Sequence, residues 1–208
     1  MRGQGYDGAS NMAGEFNGLQ ANIMRENSSA YYVHCFAHKL NLVVVAIAKK
    51  IFDVGDFFDM ISLLVNVVGS SCKRKDKLRE NHREEVRKAI GKGEIATGTG
   101  LNQELSLHRP GDTRCNSHYR TLVGLSKMFP SVVKVLEYVE EDGTDSVKKR
   151  QASGILKYFQ SFDSVFYLHM MMIIFSLTNG LSKTFQRKDM DIVNAISDVE
   201  STKRELLK

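Results

Sequence analysis

The chain has 208 residues, 42% hydrophobic and 25% charged, so it can fill a packed core and is not disordered by composition. Two prolines and no tryptophan suit a helix-dominated chain. Three widely spaced cysteines, Cys35, Cys72 and Cys115, exclude a disulfide framework and fit a reducing compartment. The first ten residues hold no apolar run, so no signal peptide is expected there and the chain is read as not secreted, nuclear or cytoplasmic.

In chain order, residues 1–11 read as a glycine-rich turn segment. Met12, Phe16, Leu19 and Ile23 recur at helical spacing and predict one helix to about Arg25. Tyr31 to Phe36, aromatic and β-branched, is the single good strand candidate. Helices follow at about 37–50 and 53–68, the second with Phe57, Phe58, Ile61, Leu64, Val65 and Val68 on one face. The stretch from Cys72 to Lys92 also reads as a helix, since Glu84 and Lys88 stand four apart. Glycines and Pro110 between Gly91 and Gly111 predict a long loop. Further helices are expected near 117–128, 130–141, 145–160, 162–178 and 189–206, with Ser117 and Asp189 as N-caps and Pro130 in a first turn. The longest apolar stretch, Val165 to Leu177, contains His169; it is too short to span a bilayer and suits a buried helix. Met170, Met171 and Met172, with Phe166, Tyr167 and Phe175, read as core packing.

The net charge of +5 is not spread evenly. Nine basic residues face four acidic ones between Cys72 and Lys92, and the remainder balances at twenty of each. Lys73, Arg74, Lys75, Lys77 and Arg79 are therefore the candidates for contact with a DNA backbone, which takes Lys and Arg without regard to sequence. A solvated helix face is the competing reading, because Asp76, Glu80, Glu84 and Glu85 are interspersed. Gly3-Gln4-Gly5-Tyr6-Asp7-Gly8 matches a dinucleotide-binding pattern, but that fingerprint needs a strand before it and a helix directly after. Cys35 and His38, with His34 adjacent, are zinc-ligand types, yet a structural zinc site takes four ligands and no second pair stands nearby.

The run GQGYDGASNMAGEFNGLQ followed by YYVHCFAHKLNLVV resembles the hAT-superfamily transposases related to the zinc-finger MYM-type and TTF-type proteins. The resemblance implies a ribonuclease-H-like sheet whose three carboxylates hold two divalent metal ions, magnesium or manganese. The second of those carboxylates falls on Asp7, in Asp7-Gly8-Ala9-Ser10-Asn11, and the family's C-x-x-H motif on Cys35 to His38. His38 is thereby implied as a structural or DNA-proximal histidine. Downstream, RPGDTRCNSHYRTL resembles the start of the family's helical insertion and makes Arg114 a DNA-contact candidate; Cys115 stands where the family has a base-stacking tryptophan. The segment from Gln186 to Leu207 resembles later parts of that insertion. The family's first aspartate is expected on a strand ahead of Met1 and its glutamate beyond Lys208.

The expected fold is mainly α, an insertion-type helical bundle with a remnant of about one strand of a ribonuclease-H-like core. The expected division is a partial core at 1–70, a basic helix and glycine-rich loop at 71–116, and a helical bundle at 117–208. The expected function is a catalytically inactive piece of a hAT-type transposase, not an enzyme and without a metal of its own. The alternative is a domesticated module that binds DNA or protein. Weak non-specific DNA, a protein partner or a second copy are the expected partners, and no membrane.

Overall fold

The computed structural model describes residues 3–96, 98, 105–109, 116–142 and 145–208. Among them the chain runs β1 (Gly3–Tyr6), α1 (Ser10–Ala13), α2 (Leu19–Glu26), β2 (Tyr31–His34), α3 (Phe36–Lys50), α4 (Phe52–Gly69) and α5 (Cys72–Gly91). It continues through α6 (Ser117–Asp142), α7 (Ser146–Phe159), α8 (Phe162–Thr184) and α9 (Ile192–Leu206). The fold is mainly α, with a small strand component, as expected.

That component has two strands, where the sequence suggested one. β1 and β2 pair in parallel, Gly3 opposite Tyr31 through Tyr6 opposite His34. Gly-Gln-Gly-Tyr has poor strand propensity, and it is the ladder to β2 that makes it a strand. Gln4 anchors it: its buried side chain donates to the Ala30 carbonyl at 2.8 Å. The first two glycines of the G-x-G-x-x-G pattern, Gly3 and Gly5, thus lie within β1, and Gly8 follows it in the loop. The single helix expected from Met12 to Arg25 is two, α1 and α2. The break comes at Gly14, where a Cβ would sit 2.4 Å from the Ser10 carbonyl oxygen.

The chain divides into two compact units, one of residues 1–47, 112–116 and 176–208, the other of 48–111 and 117–175. The first holds the strand pair, α1, α2, most of α3, the end of α8 and α9. Asp191 caps α9, accepting the Asn194 amide at 2.8 Å, and not Asp189, which pairs with Arg187. An aspartate caps the helix whose first amides it can reach, and Asp191 is the residue that directly precedes Ile192.

The second unit is a ring of four helices in which α4 packs on α5, α5 on α6, α6 on α7 and α7 on α4. Val54, Phe57, Ile61, Leu64 and Val68 of α4 are buried at three- and four-residue spacing. The two helices expected on either side of Pro130 are one 26-residue helix, α6. Leu122, Leu125 and Met128 before the proline, and Val132, Val135 and Val139 after it, form one continuous buried face. Pro130 lies on the opposite, exposed face. A proline on the outside is tolerated when packing holds both halves in line. The segment 105–109 has no regular structure, and the His108 carbonyl accepts the Thr121 hydroxyl at 3.0 Å.

α8 runs six residues beyond the expected end, for 23 residues in all. By length and composition alone it is the one helix among the described residues apolar enough to cross a membrane, with a third of its most apolar window buried. The apolar run of residues 165–177 is thus the middle of a longer helix, and its burial is partial. Of the methionine–aromatic cluster, Met171 and Phe175 are buried while Phe166 is 48% exposed.

Candidate functional site

Because β1 and β2 are parallel and in register, the chain leaves both at the same edge. Asp7 follows β1, and Cys35 and His38 follow β2 into the first turn of α3. The Cys35 amide donates to the Tyr6 carbonyl at 2.9 Å, and the Tyr32 hydroxyl donates to the Asp7 carbonyl at 2.9 Å. The Asp7 carboxylate accepts the Ala9 amide at 3.1 Å, turning the chain toward α1. A Cβ on Gly8 would lie 2.8 Å from the His34 ring, so any larger residue there would force that imidazole to shift. His34 stacks in turn on His38, their ring centres 5.3 Å apart. Two motifs nearly thirty residues apart in sequence meet at one strand edge.

The aromatic side of this edge is Tyr6 against Tyr32, 5.2 Å apart. Burial raises the Tyr32 phenol above its ordinary pKa, and the Asp7 carboxylate, Tyr6 and Cys35 add to the rise. Tyr32 therefore stays a neutral hydrogen-bond donor to the Asp7 backbone, fixing the loop at the strand end. In open α/β sheets this carboxyl edge of parallel strands is where ligands and chemistry collect.

Residues 1–18 match the family model described as DUF4371: ZMYM1/FAM200, RNase-like domain. The match covers β1, the Asp7 loop, α1 and the turn after it, and stops short of β2 and α3. No solved structure matches the chain.

A two-metal centre does not fit the residues around Asp7. Two divalent ions need several hard carboxylate oxygens converging within a few ångströms. The Asp7 loop offers one carboxylate among Tyr32, His34, Cys35 and His38. No group of three or more His, Cys, Asp or Glu side chains that could hold a metal ion occurs among the described residues. Cys35 is half-buried and not disulfide-bonded.

The basic candidates lie in the second unit, on α5, and most are engaged with the protein itself. Lys73 and Lys77 sit over the Tyr138 ring of α6, 5.4 and 4.2 Å from its centre. Arg74 donates to the Val67 carbonyl and, at 3.3 Å, to the Ser70 hydroxyl, closing the end of α4. Arg79 pairs with Asp76 at 3.1 Å. Lys75 and Arg79 border a cavity of about 230 Å³ floored by Val65, Val68 and Leu78. Arg114 lies outside the described residues.

Segment-by-segment charge counting missed a second cationic stretch. α7 carries Lys148, Lys149, Arg150 and Lys157 and no acidic residue. The usable signal was local, a fourteen-residue helix without a single carboxylate, averaged away when charge was summed over everything outside 72–92.

α5 also carries His82, whose pKa is lowered by burial and by Lys127, with Glu85 opposing. The folded state therefore holds this imidazole neutral more strongly than the unfolded chain does. Its contribution is complete above about pH 6.5 and is lost as pH falls through the lowered folded-state value. His82→Gln is expected to flatten the fall of the urea midpoint between pH 7.5 and 5. Superimposable pH profiles of variant and wild type would refute this.

Proposed function

We propose that this chain derives from a hAT-type DNA transposase and that it is by itself catalytically inactive toward DNA. The observation that carries the reading is the position of Asp7-Gly8-Ala9-Ser10-Asn11. The motif stands at the carboxyl end of a parallel strand, beside the Cys35–His38 motif, within the segment that matches an RNase-like domain. The inactivity rests on the donor set. Phosphoryl transfer through two metal ions stabilises the attacking and leaving oxygens together, and a lone carboxylate does not position two ions. The helices of residues 117–208 correspond to the family's insertion, and the chain's contact with DNA is with phosphates, through the cations of α5.

Incubating the purified chain with duplex DNA and magnesium or manganese is the test. The DNA is expected to stay intact, and any retention in a gel to be weak, indifferent to sequence and steeply salt-dependent. Neutralising Lys73, Lys75 and Lys77 together, and sparing the structural Arg74, should lower the log–log salt slope by up to about three, near 0.9 for each phosphate no longer neutralised. DNA cleavage that disappears in Asp7→Asn would overturn the reading.

A second reading, a domesticated binding module, is favoured by one observation: the ring of α4 to α7 has an apolar core of its own and a cationic helix, α7, that contains no acidic residue. Sharp discrimination between DNA sequences, without cleavage, would favour it over the first.

A further inference from the structure

One face of α8 is at odds with its own sequence. From Ser164 to Ser182 the helix has no Asp, Glu, Lys or Arg, so it is apolar nearly all round. A helix of that kind is normally covered on every side. Here Ser164, Leu168, Met171 and Phe175, at successive four- and three-residue steps, are buried. On the opposite side Phe162, Phe166, His169 and Ile173 follow the same steps and are exposed, Phe162 by 80% and Ile173 by 63%. Phe162 and Phe166 stack in water, ring centres 6.1 Å apart. The whole stripe lies within the second unit and spans about 16 Å along the helix.

We infer that this face is the contact surface for a second copy of the chain, α8 packing antiparallel on α8 about a two-fold axis. With Val165, the stripe leaves on the order of 400 Å² of apolar surface in water. A stable pair buries about 800 Å² per partner, of which a little over half is apolar. The stripe thus supplies the apolar share of one half-interface, with the half-buried Tyr167, Met170 and Met172 at its margin. An uncharged stripe is also self-complementary, as a two-fold interface requires, and it offers no ion-pair partner by which a foreign charged helix would be selected. Antiparallel packing sets Phe166 against His169 of the copy. It also places the two Asp163 carboxylates at opposite ends, where a parallel pair would force them together.

Sedimentation velocity on the full chain, from low micromolar to a few hundred micromolar, tests this. The expected result is a concentration-dependent dimer of the 23.4 kDa chain. Phe166→Glu and Ile173→Glu, each alone, should weaken dimerisation at least tenfold. Both side chains point away from the helix core, so far-UV circular dichroism should match wild type. A wild-type monomer at every concentration overturns the inference, as does a dimer unaffected by both substitutions in folded protein. Co-flotation with neutral phosphatidylcholine vesicles that is lost in the same two variants would mean that the stripe meets lipid, and also overturns it.

Discussion

Phe57→Ala is expected to lower the stability of the helical ring by about 3–5 kcal/mol. Phe57 is fully buried in α4, with the Phe58 ring edge-on at 5.3 Å and Tyr167 of α8 at 6.3 Å. Truncation to a methyl group removes the transfer gain of the ring and leaves a cavity that the rigid neighbours fill only in part. Tyr167 is itself tied to α4, its hydroxyl donating to Asp53 at 3.1 Å, so collapse into the space would break that bond. Urea unfolding followed by circular dichroism measures the loss. Phe58→Ala, at a half-buried position beside His118 and Phe175, serves as the internal comparison and should cost less. A loss at Phe57 of under about 1 kcal/mol would mean that α4 is not packed as described.

Pro130→Ala is expected to act in the opposite direction, raising stability by about 2 kcal/mol. Proline in a helix interior costs roughly 3 kcal/mol against alanine, because it lacks the amide that would bond four residues back and its ring crowds that carbonyl. Here the relieved carbonyl is that of Ser126. Alanine gives back part of the gain, about 0.4–1 kcal/mol, by freeing the unfolded chain. The site is exposed, so no cavity opens. The sign is informative. If two helices met at Pro130, with the proline in a first turn, alanine would gain nothing there. An unchanged or lowered urea midpoint would therefore show that α6 is not continuous in solution.

The helical character of the chain and the location of most helices were legible in the sequence, because apolar residues at three- and four-residue spacing leave little choice of local structure. α3, α4, α5 and α7 lie within a residue or two of their expected limits. The candidate site residues Asp7, Cys35 and His38 were legible as motifs. Three features were decided by tertiary contact alone. β1 exists because β2 supplies hydrogen bonds to a Gly-Gln-Gly-Tyr segment whose own strand propensity is poor. α6 passes through Pro130 because the buried residues before and after it need one straight face, and burial of that face outweighs the missing bond. The exposed stripe of α8 was invisible for a related reason. Sequence reports that Phe162, Phe166 and Ile173 are apolar, but which side of an all-apolar helix meets the core depends on where α4 and its neighbours stand. Local patterns set what each segment prefers, and long-range packing chose among those preferences wherever the local free-energy differences were smaller than the burial at stake.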